Sequence, residues 1–257
     1  MKTPEHSSPD ELVDRLDRLR RGRSRAALAF DGDGTLWQGD VAEDVFHWAI
    51  QRELLGKVPE KDLERVARAH GLEASGDSNE IAKGMFDAYA DGRFPERTVC
   101  EIMAWCFAGH SRDDLARFAR EALRDTGLDA RLNRALDPVL DWARNQEVRV
   151  VIISASPRFV VEEAARRVDV GPKDIAATTP AFEGQRMLPR LVAPVPYAET
   201  KVLFGRELLG DATWLASFGD SVFDLDMLGA AELGVAVCPK PSLRARLGEL
   251  ARATVLG

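Results

Sequence analysis

Cysteine is scarce in this 257-residue chain. The three that occur, Cys100, Cys106 and Cys238, are an odd set without zinc-ligand spacing, so neither a disulfide framework nor a structural zinc site is expected. They read as reduced thiols, as in a cytoplasmic protein. Long apolar runs are missing too. None approaches the roughly twenty residues of a membrane span, so no membrane partner is expected. Positive charge is not in surplus either: 35 Lys and Arg stand against 42 Asp and Glu, a formal charge of −7. That balance argues against a general binder of nucleic acid or anionic membranes. If the substrate is an anion, local positive charge must come from a metal ion, a lysine or helix N-termini. The basic residues between 15 and 25 are interleaved with acids such as Asp14 and Asp17, which fits neither a transit peptide nor a secretory signal. Histidine is rare, and His47, His70 and His110 show no ligand spacing; surface or packing roles are expected for them.

What is present is an ordinary globular pattern. Five short apolar runs punctuate the chain, at 26–30, 148–154, 175–179, 213–218 and 233–237. The second is apolar throughout, as in a strand covered on both faces. Helical stretches are predicted between most of them, at 131–144, 158–168, 199–209 and 242–252. Alternating strand and helix gives an α/β fold with a Rossmann-like parallel sheet. Ahead of the first strand, Leu12, Leu16 and Leu19 behind Ser8-Pro9 predict an amphipathic helix. The interval after the first strand breaks the rhythm. Helical spacing runs through 41–55, 60–70, 78–90, 95–108 and 112–124, interrupted by Gly and Pro. This predicts an all-helical cap over residues 41–127, inserted into a core of residues 1–40 and 128–257.

Chemistry-bearing residues fall at strand ends. Asp31 and Asp33 close the first strand in "AFDGDGTLW", where open parallel sheets bind their ligands. A calcium loop fails on detail, because Leu36 stands where such a loop needs glycine and a strand precedes it; a plain polar turn is the other alternative. Ser154 ends a second strand and leads into a helix through Pro157, a natural phosphate cradle. Gly219-Asp220-Ser221 ends a third, with Asp224 and Asp226 close behind. Acids after a buried strand are costly unless paired or on metal, although Asp220 could simply cap a helix. Lys201 lies at the start of a helix and is a better candidate than Lys173, which sits in a turn.

In this order, Asp31-Gly-Asp33-Gly-Thr35, Ser154, Lys201 and Gly219-Asp220-Ser221-x-x-Asp224 resemble the four motifs of the haloacid dehalogenase-like superfamily. The resemblance covers residues 26–40 and 147–240, and the phosphoserine phosphatase-like branch is nearest in cap position and in the D-x-x-D pattern. It implies a Mg2+-dependent phosphatase acting on a small-molecule phosphomonoester through an aspartyl-phosphate. Asp31 is then the nucleophile and Asp33 the general acid and base. Ser154, Ala155 and Lys201 stand at the substrate, with Ser154 holding a phosphoryl oxygen and Lys201 neutralising charge. Asp31, the Asp33 carbonyl and Asp220 ligate the metal, while Asp224 orients Lys201 or metal-bound water. The same assignment makes physical sense: a carboxylate attacking a phosphate dianion needs a hard cation and a lysine to offset repulsion.

The chain also departs from that branch. Gly32 stands where a bulky apolar residue is usual, Ser154-Ala155-Ser156 replaces Ser-Gly-Gly, and Phe223 replaces asparagine. Gly32 is expected to loosen the nucleophile loop. Trp37 is a candidate substrate contact as well as a packing residue. Asp40 matches the acid that reads the substrate amine in the branch, and it also suits the N-cap of the helix at 41–55. An amine-bearing substrate such as a phosphoamino acid or phosphocholine follows from the first reading. A dehalogenase has no use for Asp33 or Asp220, whereas a phosphomutase or phosphotransferase would use the same core; a non-catalytic binding module would leave every one of these chemical positions without a use.

Overall fold

The computed structural model describes residues 5–256, so residues 1–4 and 257 of the predicted core lie outside the described residues. A short strand, β1 (Glu5–His6), precedes α1 (Pro9–Arg20). Ser8 and Glu11 cap that helix reciprocally, and its buried Leu12 and Leu16 anchor it to the core. β2 (Ala26–Phe30) follows, every residue buried.

Five helices come next: α2 (Val41–Ile50), α3 (Glu60–Ala69), α4 (Ser78–Ala90), α5 (Glu96–Trp105) and α6 (Arg112–Asp125). Asp40, Asp77 and Ser111 start α2, α4 and α6 by accepting first-turn amides. The chain returns through α7 (Asp137–Asn145), β3 (Arg149–Pro157), α8 (Arg158–Ala165) and β4 (Ile175–Thr178). A hairpin of β5 (Pro180–Glu183) and β6 (Arg186–Leu191) leads to α9 (Glu199–Leu209) and β7 (Thr213–Gly219). The described chain ends with α10 (Leu225–Ala230), β8 (Leu233–Val237), α11 (Pro241–Arg246) and β9 (Ala253–Leu256).

Seven strands form one parallel sheet in the order β1-β9-β8-β7-β2-β3-β4. Phe30 and Phe218, paired in register on β2 and β7, stack with centroids 4.1 Å apart. The connection from β2 leads to β3 on one side, and the chain later returns to β7 on the other. That reversal opens a crevice beyond the carboxyl ends of β2, β3 and β7. The helices of 41–125 close over it, with α5 packed on β3 and β6 and α6 on α8. No helix among the described residues is long and apolar enough to cross a membrane.

Several expectations need correction at their edges. The helix predicted at 131–144 begins only at Asp137, because Asn133 caps a separate 3₁₀ turn and Pro138 is tolerated only in a first helical turn. The helix predicted at 158–168 gives way to a 3₁₀ turn after Ala165 and ends at Asp169 in left-handed conformation. The stretch 242–252 holds a helix only to Arg246, before a 3₁₀ turn and β9. β9 and the β5–β6 hairpin were not expected.

Candidate active site

The loop after β2 is tight. The Asp31 amide donates to the Phe218 carbonyl at 2.9 Å, holding the loop to β7. The Gly32 carbonyl then accepts the amides of Thr35, Leu36 and Trp37. Gly34 has φ +78°, and a Cβ there would lie 2.2 Å from Asp220 Oδ2, so both conformation and space require glycine. A Cβ on Gly32 would lie 2.7 Å from Trp37 Cζ2. The indole of Trp37 therefore fills the space next to Gly32. Where Gly32 was expected to loosen the loop, the ring leaves no gap beside it.

Trp37 itself is fully buried beneath the loop, and the cavity above does not include it in its walls. Its expected substrate contact is thereby corrected. The side chain turns inward because its indole N–H finds Asp33 Oδ1 at 2.8 Å, which satisfies a donor that burial would otherwise strand.

Asp31, Lys201 and Asp224 form a buried ion triad. Lys201 Nζ donates to Asp31 Oδ1 and to Asp224 Oδ1, each at 2.6 Å. Asp224 Oδ2 in turn accepts the amides of Asp220 and Ser221 and the Ser221 hydroxyl. Burial opposes the charge on Lys201, but the carboxylates of Asp224 and Asp31 outweigh it and raise its pKa. The Asp31 carboxyl is also pushed well up, first by burial and then by Asp224, Asp220 and Asp33 against the pull of Lys201. The triad sets two carboxyl groups against one ammonium.

Asp33 accepts at both oxygens, from Trp37 and the Val41 amide at Oδ1 and from Ser156 at Oδ2. Ser154 is buried, and its hydroxyl accepts the Ser156 amide at 3.1 Å. Asp220 Oδ2 pairs with Lys240 at 2.9 Å. Asp40 Oδ1 accepts the amides of Ala42 and Glu43, so it does cap α2. Burial and then the proximity of Asp33 push its carboxyl well up.

A cavity of about 290 Å³ joins these groups. Asp31, Asp33, Asp40, Ser154, Ala155, Lys201 and Asp220 reach it, and of the other expected residues Trp37 and Asp224 lie behind its wall. Ser156 on β3, noted from sequence only as a departure, also lines it, as do residues not singled out there: Lys240 after β8, Tyr89 and Glu96 from the helical insert, and Tyr197. Lys240 had a readable signal, since it follows a buried strand at the same sheet edge as Asp220. Tyr89 and Glu96 had none, because only tertiary packing brings α4 and α5 over the crevice. At the rim, Arg97 of α5 lies over Tyr197 and pairs with Glu199, tying the insert to α9. His47, His70 and His110 stay out of the cavity and pack against Phe86, Phe94 and Phe118.

Comparison with solved structures returns the same fold. A protein of unknown function from Bordetella pertussis Tohama I superposes with TM-score 0.69 at 23% identity, over 90% of this chain and 98% of that one. A HAD family hydrolase from Salmonella enterica serovar Typhi gives 0.56 at 16%, over 95% of this chain and 75% of that one. A probable phosphoserine phosphatase from Vibrio cholerae gives 0.53 at 17%, over 89% of this chain but 60% of that one. No curated protein matches. The sequence model of the haloacid dehalogenase-like hydrolases matches residues 28–229, a span that contains Asp31, Asp33, Ser154, Lys201, Asp220 and Asp224. The chain belongs to the haloacid dehalogenase-like hydrolase family.

Proposed function

We propose that this hydrolase is a magnesium-dependent phosphatase that cleaves small phosphomonoesters through an aspartyl-phosphate on Asp31. The observation that carries the reading is the buried Asp31–Lys201–Asp224 triad, with Asp31, Lys201 and the neighbouring Asp33 lining one cavity.

The donor set suits a hard cation. Carboxylate oxygens of Asp31, Asp220 and Asp224 lie within 4.8 Å of one another. Both Asp224 oxygens already accept protein donors, so Asp31 and Asp220 would hold the ion, with the Asp33 carbonyl as the family resemblance implies. Bound there, magnesium would offset the excess negative charge and polarise the phosphoryl group.

The protein's own groups divide the remaining work. Lys201 fixes Asp31 Oδ1 and neutralises charge as the nucleophile meets a phosphate dianion. Asp31 forms a bond to phosphorus while the bond to the leaving oxygen breaks, and Asp33 delivers a proton to that oxygen. Asp33 then takes a proton from water as the water attacks phosphorus, and Asp31 is freed with release of inorganic phosphate. Ser154 stands where a hydroxyl can hold a phosphoryl oxygen.

For the substrate, the outer cavity supports an amino or quaternary ammonium group. The carboxylates of Asp40 and Glu96 face it together with the rings of Tyr89 and Tyr197, the two kinds of group that attract an alkylammonium. Burial raises Glu96 as well as Asp40, and a bound cation would relieve both.

The test is phosphate release from phosphocholine, phosphoserine and glycerol phosphate, with magnesium and with chelator. Full activity in excess EDTA, or no release from any phosphomonoester, would overturn the phosphatase reading. Equal kcat/KM for aminated and neutral substrates, unchanged in Glu96→Gln, would remove the ammonium preference alone.

A further inference from the structure

We propose that Ser156 is a positioning residue for Asp33, dedicated to the oxygen that carries the transferred proton; this rests on the phosphatase reading above. The two oxygens of Asp33 are held differently. Oδ1 accepts the Trp37 indole N–H and the Val41 amide, both at 2.8 Å. Each is a donor that can only donate, so Oδ1 remains an acceptor whatever the state of the carboxyl. The proton that moves is therefore confined to Oδ2.

The protein partner of Oδ2 is the Ser156 hydroxyl, at 2.6 Å. It occupies one acceptor position of that oxygen and leaves the other free towards the cavity. When Asp33 acts as acid, its Oδ2–H bond breaks and a bond from the leaving oxygen to that hydrogen forms. When it acts as base, the transfer is the reverse, from water to Oδ2. The O–H bond of Ser156 is neither broken nor made. Its hydrogen bond strengthens as charge develops on Oδ2, so the contact favours the transition state of leaving-group departure over the ground state.

Ser156 is built into place. It is 5% exposed, its amide donates to Ser154 Oγ, and the pairing of β3 with β4 shifts register between Ser154 and Pro157. Such a bulge re-aims side chains at a strand end. Glycine at this position, as in the phosphoserine phosphatase pattern, has no hydroxyl to offer.

Leaving groups separate this role from simple packing. A p-nitrophenolate departs without a proton, whereas an alkoxide needs one. The measurement is kcat/KM, which reports through the first irreversible step, with p-nitrophenyl phosphate and with the fastest alkyl phosphate of the release screen. In Ser156→Ala the alkyl substrate should lose about tenfold or more beyond any loss with the aryl substrate. Ser156→Thr, which keeps the hydroxyl, should recover most of that ratio. Thermal denaturation checks folding, and Ser156→Gly serves as the hydroxyl-free variant where alanine does not fold. An equal loss on both substrates, or none, overturns the assignment while wild-type hydrolysis leaves the phosphatase reading standing. A wild type that releases phosphate from neither substrate overturns both.

Discussion

Lys201→Met keeps the length and apolar stem of the side chain and deletes the ammonium. In the folded protein the side chains of Lys201, Asp31 and Asp224 are 5%, 8% and 0% exposed, so water screens little of their interaction. The substitution leaves two buried carboxylates with no counter-charge between them. Removing one partner of a buried pair costs about 3–5 kcal/mol. For a chain of this size each kcal/mol moves Tm by about 2–4 °C, so a fall of about 6–20 °C is expected. The assay is thermal denaturation in chelator, with urea unfolding as a check that m is unchanged. Magnesium should then raise Tm more in the variant than in the wild type, because a dication at Asp31 and Asp220 supplies positive charge that the methionine cannot. A variant that melts with the wild type in chelator would refute the argument that Lys201 is the counter-charge on which this cluster depends.

Asp31→Asn keeps the side-chain shape and removes the attacking charge; phosphate release should disappear while circular dichroism is unchanged, and wild-type turnover in a folded variant would end the covalent mechanism. Gly32→Ala drives a methyl against the buried Trp37 ring, 2.7 Å from Cζ2, and should cost about 1–3 kcal/mol in urea unfolding; a neutral substitution would show that the indole is not wedged there. His47 packs edge-on against Phe86, and burial holds its pKa below the ordinary 6.5. The unfolded chain therefore takes up the proton first as pH falls through 6.5, so stability drops in that window and levels off below the folded value. His47→Phe should remove this component, and a wild-type minus variant difference that stays flat between about pH 7.5 and about pH 5 would contradict it.

Strand ends were legible because hydrophobic runs announce them. The runs at 26–30 and 233–237 coincide with β2 and β8: each is fully buried, and a short apolar segment between polar or turn-forming residues has little other use. Once the strands are placed, Asp31, Ser154 and Asp220 fall at one edge of the sheet, and the structure does bring them to one cavity. The β5–β6 hairpin was not legible, since Pro180 and Pro189 read against strands and are accommodated only in a separate two-stranded ribbon. Trp37 shows a different limit. Its place in the chain put it beside the site, but a rotamer and one hydrogen bond to Asp33 decide that it lies under the loop.

Two of the three departures from the phosphoserine phosphatase pattern converge on the same carboxylate. Glycine at 32 leaves the space that the Trp37 ring occupies, since any Cβ there would overlap Cζ2. The ring, so placed, donates to Asp33 Oδ1, and the serine at 156 donates to Oδ2. With the Val41 amide, three donors fix a side chain whose orientation is otherwise free about two torsions. The restraint lost with a bulky side chain at 32 is replaced by the packed Trp37 ring and by hydrogen bonds to Asp33. In the proposed mechanism the placement of Asp33 matters, since proton transfer requires hydrogen-bond distance to the leaving oxygen. A bulky residue at 32 alone should displace the Trp37 ring, and glycine at 156 alone should remove the hydroxyl, so each single change should leave Asp33 with one donor fewer.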